Sequence, residues 1–307
     1  MDGNTWGHYS VLYIVAAVFL VTLLTGCQSF NLFSSDAGQT KPQSQQITPE
    51  RMRQLFETAY ESMSNRDSLR QAYQYLKQIE PRDENARWYR ETLSEVCFNY
   101  ATYSDVSRDS SLLLYDEGRH SALRVLQTRP DVMSFLSSDA MYSPRIVRDT
   151  LRYIPVRALY WWSINSLLWL VDEPPVNRVV ARNRLENAIK LIELASPDFR
   201  YGAVQRLRGL LYTISPDGDL NMAKLAFEKA ITNNGAYLEN HFLYGRYYGI
   251  MLQNRQIFRR EMEVVVDATS QYPLEFAELN RLVKIRAQEF LQREESFFTA
   301  SIKFGQL

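Results

Sequence analysis

Pro155–Val171, PVRALYWWSINSLLWLV, limits what the chain can become more than any other stretch. It carries Trp161, Trp162 and Trp169, three of the five tryptophans, beside Tyr160, Leu159, Leu167, Leu168 and Leu170. Pro155 suits the first turn of a helix, where its missing N–H costs nothing. Asp172-Glu173-Pro174-Pro175 stops that helix. At 100° per residue Leu159, Trp162, Ser166 and Trp169 share one face, while Trp161, Leu168 and Val171 fall elsewhere. A helix apolar nearly all round is buried on most sides. At about 17 residues, with Arg157 and Asn165 inside, it is short for a membrane span. The stretch therefore predicts a central helix wrapped by other helices. Its aromatics, Tyr160, Trp161, Trp162 and Trp169, are core or the wall of a ligand cavity.

The helices that would do the wrapping are legible on both sides. Thr48-Pro49-Glu50 reads as an N-cap followed by proline in the first turn. Leu55, Phe56, Ala59, Tyr60 and Met63 then form one stripe. Asp67 is expected to cap a second helix with Ala72, Tyr73, Leu76 and Ile79, ended by Pro81. A third from about Asp83 carries Trp88, Leu93, Val96, Cys97 and Tyr100. A fourth spans about Ser110–Gln127, and Ser143-Pro144 starts a short one. Alternating strand patterns and Asn-Gly turns are absent and glycine is scarce, 12 in 307, so the fold class is all-α.

The second half repeats itself. Gly209, Tyr212, Ala223, Phe227 and Ala230 are echoed 35–36 positions later by Gly245, Tyr248, Phe258, Met262 and Val265, close to the tetratricopeptide (TPR) period of about 34 residues. A small residue lets paired helices cross closely, and a bulky one three later fills the groove. Ala59, Ala72, Leu76 and Ile79 make a looser copy. The pattern fits TPR-like helical hairpins; an irregular helical bundle is the alternative.

Upstream, Val11–Leu24 is an apolar run of signal-peptide length, followed by Leu24-Thr25-Gly26-Cys27, which resembles the bacterial lipobox. Residues 1–26 are expected to be a lipoprotein signal peptide, although Met1–Ser10 lacks Lys and Arg; an uncleaved anchor is the other reading. Residues 27–46, rich in Ser and Gln, form a tether with an r.m.s. reach of roughly 25 Å after the lipidated Cys27. Residues 47–298 are the helical domain and 299–307 a tail. Gln28 after Cys27, rather than Asp, favours the outer membrane over the inner.

Lys+Arg and Asp+Glu balance at 35 each, which argues against a nucleic-acid partner. Cys97 would be the sole thiol after lipidation, so neither an intrachain disulfide nor a multi-thiol zinc site is expected; it reads as a small buried hydrophobe. No phosphate loop, HExxH, GxSxG or CxxC occurs, and His8, His120 and His241 are scattered. The reading is of no enzyme, no cofactor and no metal. Glu294-Glu295, Asp172-Glu173, Arg259-Arg260 and Arg281, Lys284, Arg286 read as solvated ends and faces.

The order LLLYDEGRHSALRVL (from Leu112), ALYWWSINSLLWL (from Ala158), FRYGAVQRLRGLLY (from Phe199), MAKLAFEKAI (from Met222) and HFLYGRYYGIMLQ (from His241) resembles the TatT family. These are the T components of TPR-protein-associated tripartite ATP-independent periplasmic (TRAP) transporters. A glycine usual in that family after the aromatic pair is replaced here around Asn165-Ser166. The resemblance implies a lipid-anchored periplasmic protein of TPR-like hairpins around a pore or cleft. It implies self-association, as a trimer, and a periplasmic TRAP solute-binding protein as partner. The implied ligand is small and partly apolar, such as an organic acid. A TPR scaffold for envelope protein assembly is the competing reading. The anchor is tested by Cys27→Ser, which should abolish incorporation of labelled palmitate and leave soluble protein or precursor, because the motif offers no other acylation site; label retained by the serine variant would refute it.

Overall fold

The computed structural model describes residues 48–298 apart from 66, 83, 139–152 and 270. The signal segment, Cys27, the tether, the helix expected from Ser143-Pro144 and the tail lie outside those residues. Among the described residues there are thirteen α-helices and no strand. No helix among them is long and apolar enough to cross a membrane.

Local chemistry sets the helix ends. The Thr48 hydroxyl accepts from the Arg51 N–H at 3.2 Å, and with Pro49 in the first turn it opens α1, Pro49–Glu61. Asp67 precedes α2, Ser68–Lys77, without a side-chain cap; it pairs with Arg70 at 3.2 Å instead. α3 runs Ala86–Tyr103. α4, Arg108–Leu126, begins slightly before the expected Ser110 because Ser107 supplies the cap, accepting from the Ser110 N–H at 3.2 Å. The periodicity passed over α5, Pro130–Leu136, although Pro130 at its first turn marks it. The central helix is α6, Val156–Leu170, and the double proline opens α7, Pro175–Ala195. α8 is Ala203–Ile214 and α9 is Leu220–Asn234. α10, Glu239–Leu243, continues into a π-helical segment, Tyr244–Gly249. α11 spans Arg255–Asp267, α12 Ala277–Gln292 and α13 Glu294–Phe297.

From α1 to α4 each helix packs on the next, and the pattern resumes from α6 through α9. α6 gathers helices from before and after it: α3 and α4 on one hand, α7 and α8 on the other. Every residue from Ala158 through Leu168 is buried, as an all-round apolar helix requires. Three helices meet at Asn165. Its Nδ2 donates to the Ser94 carbonyl on α3 at 3.0 Å and to the Trp161 carbonyl at 2.9 Å. A Cβ on Gly118 of α4 would stand 2.8 Å from the Asn165 carboxamide. Glycine is needed there because the Asn165 amide occupies the space.

The repeat glycines also lie at close approaches. A Cβ on Gly209 would meet the Phe227 ring of α9 at 2.7 Å; one on Gly245 would meet Met262 Cε of α11 at 3.0 Å. In the second copy the backbone-to-backbone approach falls at Gly249, where a Cβ would lie 2.9 Å from the Phe258 nitrogen. The widened π turn shifts that crossing along the helix. Phe227 stacks on Tyr244 with centroids 5.1 Å apart, joining the two copies. Ala223, Phe227 and Ala230 are buried, as is Tyr248, while Tyr212 is half-buried.

A buried polar network crosses the same core. Arg206 on α8, fully buried, donates to Asn240 Oδ1 at 2.6 Å and to the Tyr160 hydroxyl at 2.8 Å, and pairs with Glu239 at 3.2 Å. The Tyr103 hydroxyl donates to Glu239 at 2.6 Å. A buried charge is tolerable only with such partners. Beside it, Arg200 (φ 42°), Tyr201 (φ 53°) and Gly202 (φ 96°) occupy the left-handed region in succession. That backbone is costly for the two non-glycines. It is offset where Arg200 reaches Glu95 at 3.2 Å and stands 4.6 Å over the Trp161 ring. Arg157 donates to the other Glu95 oxygen at 2.8 Å. Burial opposes the Glu95 charge, yet Arg200 and Arg157 outweigh it and hold the carboxyl below its usual range.

Two charge runs expected to be solvated are corrected by the structure. Glu294 is only 6% exposed, because α13 folds against α11 and brings Arg259 within 2.6 Å. Arg286 is only 7% exposed; its burial sets up a cavity described below. His241 is buried and bonded to Glu261 at 2.7 Å, His120 is exposed, and Cys97 is fully buried.

Gly118→Ala should cost about 1–3 kcal/mol in urea denaturation, since a methyl must displace Asn165; Gly209→Leu should cost as much or more. Stability unchanged in both would mean those approaches are looser than described. Glu95 sets a pH test. Its folded pKa lies below its unfolded value, so its stabilisation is complete above about pH 5 and is lost as pH falls through about 4.3 toward the folded value. Glu95→Gln should therefore be about 3 kcal/mol less stable at pH 7 and should lose less stability on acidification than the parent; parallel pH curves would refute the pairing.

Candidate functional site

The heptad-like spacing of Trp162, Ser166 and Trp169 puts all three on one face of α6, and that face fronts a cleft of about 280 Å³. α4 contributes Arg119 and Leu123; α7 contributes Asn177, Val180, Ala181 and Arg184. α6 and α7 are joined by four residues ending in Pro174, so α7 turns back beside α6 and closes the cleft.

Two guanidiniums lie on the two indoles. The Arg119 guanidinium is centred 4.0 Å from the Trp169 ring, and Arg184 stands 5.8 Å from that of Trp162. Such stacking is worth about 0.5–2 kcal/mol, more where water is excluded. The two arginines differ in charge balance. Arg119 Nε donates to Asp116 at 2.8 Å, so its charge is largely answered. Arg184 has no carboxylate within ion-pair distance among the described residues, and its buried Nε lacks a hydrogen-bond partner. The cleft thus offers flat apolar walls, with one uncompensated cation beside them. It suits an anion that carries an apolar body.

The four aromatics proposed from sequence as cavity lining divide. Trp162 and Trp169 line the cleft. Tyr160 and Trp161 are fully buried and face the polar network. Tyr160 accepts from Arg206, and burial pushes its phenol up to about 12. Trp161 packs on Phe98 and Tyr160 with centroids 5.5 and 4.8 Å away. Its indole N–H has no partner, although buried indoles usually find one. The electron-rich face is used instead, by Arg200. Sequence reasoning missed Arg119 and Arg184. A signal existed in Asn177, Ala181 and Arg184, whose i, i+4, i+7 spacing sets one face of α7 opposite the tryptophans. Nothing in the sequence identified that face as the one turned inward.

No curated relative matches the chain by sequence. A family model described as the TRAP transporter T-component matches residues 103–298. That span covers α4 through α13 and all three walls of the cleft, well over half the chain. The chain belongs to the family of TRAP transporter T-components.

Proposed function

We propose that the chain is the non-enzymatic T component of a TRAP system, docking a periplasmic solute-binding protein and receiving a small, partly apolar organic acid in the cleft between Trp162 and Trp169. The observation that carries this reading is Arg184, a cation without a carboxylate beside two indole faces. The acid's hydrocarbon would lie on the indoles and its carboxylate on Arg184, where the sheltered setting strengthens a charge-assisted hydrogen bond. Family membership supports association with TRAP components. Val176, Val179 and Val180, exposed at i, i+3 and i+4 on α7, form an apolar strip at the cleft's edge and would be the docking face. The nearest-neighbour packing of the helices and the glycine crossings support TPR-like hairpins. Lipidation of Cys27 would tether the body to the outer membrane with the cleft in the periplasm, and self-association would multiply the sites.

Native mass spectrometry of the co-purified complex should show a solute-binding protein and a bound acid. A fluorescent fatty acid should bind the parent, bind Arg184→Gln about tenfold more weakly at unchanged melting temperature, and bind Trp162→Ala and Trp169→Ala poorly. Trp161→Ala should instead lose about 3–5 kcal/mol of stability. Undiminished binding by all three cleft variants would exclude the cleft as the site.

A further inference from the structure

A second cavity, of about 180 Å³, opens against the opposite face of α6, where Leu168 and Val171 form part of its wall. α4, the π segment and α12 supply much of the remainder, with Asp105 and Val106 from the α3–α4 connection and Ile250 and Met251 just after the π segment. Consecutive side chains Arg246 and Tyr247 both reach it, which the widened π turn permits. Arg246 and Arg286 flank one ring: each guanidinium carbon lies 5.1 Å from the centroid of Phe290.

Positive charge in this cavity exceeds what its own carboxylates answer. Asp172 is taken by Arg108, whose Nε donates to it at 3.1 Å. Arg286 faces Glu289 and, at 3.9 Å, Asp105, which is 82% exposed. The Arg286 side chain is only 8% exposed and its Nε is buried with no partner. Arg246 donates to the Thr102 carbonyl at 3.1 Å and has no carboxylate within ion-pair distance among the described residues. Arg293, exposed at the rim, likewise has only the Phe297 ring, 5.9 Å away. Burial and the neighbouring Arg246 charge push Arg286 below its ordinary range. Two like charges held at one ring, beside both polar and apolar walls, suit an anion. Leu168, Ile250 and Met251 supply the apolar part, which a bare oxyanion such as phosphate would leave unused.

We propose that this cavity is a second binding site, separate from the indole cleft, for a short-chain carboxylate held between Arg246 and Arg286 with its hydrocarbon against Leu168 and Ile250. The inference stands on its own residues and does not depend on the cleft binding anything.

The test is a thermal-shift and calorimetric titration of the full chain with butyrate, succinate, butyramide and inorganic phosphate. The parent should show a saturable rise in melting temperature with at least one acid, none with the neutral amide, and a weaker response to phosphate. Arg286→Gln should weaken the acid by about tenfold or more. Arg293→Gln, an exposed change that spares the fold, should weaken it by a few-fold and decides the matter if Arg286→Gln does not fold. Arg184→Gln in the indole cleft should leave this titration unchanged. The proposal is overturned by a parent that responds to neither acid, by phosphate acting as strongly as the acids, or by Arg293→Gln titrating like the parent. Loss of the response in Arg184→Gln would also overturn it, by assigning the acid to the cleft.

Discussion

A helix with no wet face can exist in water only inside a sleeve, and α6 obliges the rest of the chain to build one. Its run from Ala158 to Leu168 is buried without a break. Full burial of each large apolar side chain is worth about 1.5–3 kcal/mol, a gain realised only when helices stand on every side. α3, α4, α7 and α8 fill those places. Asn165 then fixes how they stand. An amide N–H₂ at the centre of an apolar helix must find acceptors, and those within reach are the Ser94 and Trp161 carbonyls and the Ser94 hydroxyl. Gly118 makes room for the amide, so one side chain sets the mutual positions of three helices.

The same logic extends to the charged core. Arg206 and Glu239 are buried together; Tyr160 bridges them, Tyr103 donates to Glu239 and Asn240 accepts from Arg206. These bonds join α3, α6, α8 and α10, segments far apart in sequence. An apolar core of equal volume could match this stability, but it would not demand one mutual arrangement of the four. Arg200 extends the network to Glu95 through a loop held in strained backbone. Asn165 and this network thus fix the position of α6, the wall that both cavities share.

Much of the fold was readable because helical signals are local. Thr48-Pro49, Pro155 and Pro174-Pro175 mark ends by their own chemistry, and the 35–36-residue echo located Gly209 and Gly245. The π segment was not readable. YGRYYG looks like ordinary helix, and its widened turn is a property of how it packs on α11, which moves the tightest crossing to Gly249. The cleft was half readable: three tryptophans on a buried helix announce a special surface, but which indoles face space depends on α4 and α7, whose placement beside α6 no local periodicity encodes. Arg286 is the opposite case. Read as a run of charges with Arg281 and Lys284 it is one more solvated cation, but 100° per residue turns it about 140° away from Arg281, onto the buried face of α12 with Leu282, Val283 and Phe290.

The embrace of α6 by helices from both halves bears on how the chain comes apart. An array of hairpins that touch only their neighbours melts like a one-dimensional chain, fraying unit by unit from its ends. Here α3 and α4 share α6 with α7 and α8, and α12 returns to touch α3. Removing any one of them uncovers the same tryptophan-rich surface, so the free energies of the separate hairpins are tied into one transition. The chain forgoes the modularity of such an array, and in exchange the two cavities on opposite faces of α6 share a wall that cannot loosen on one side alone.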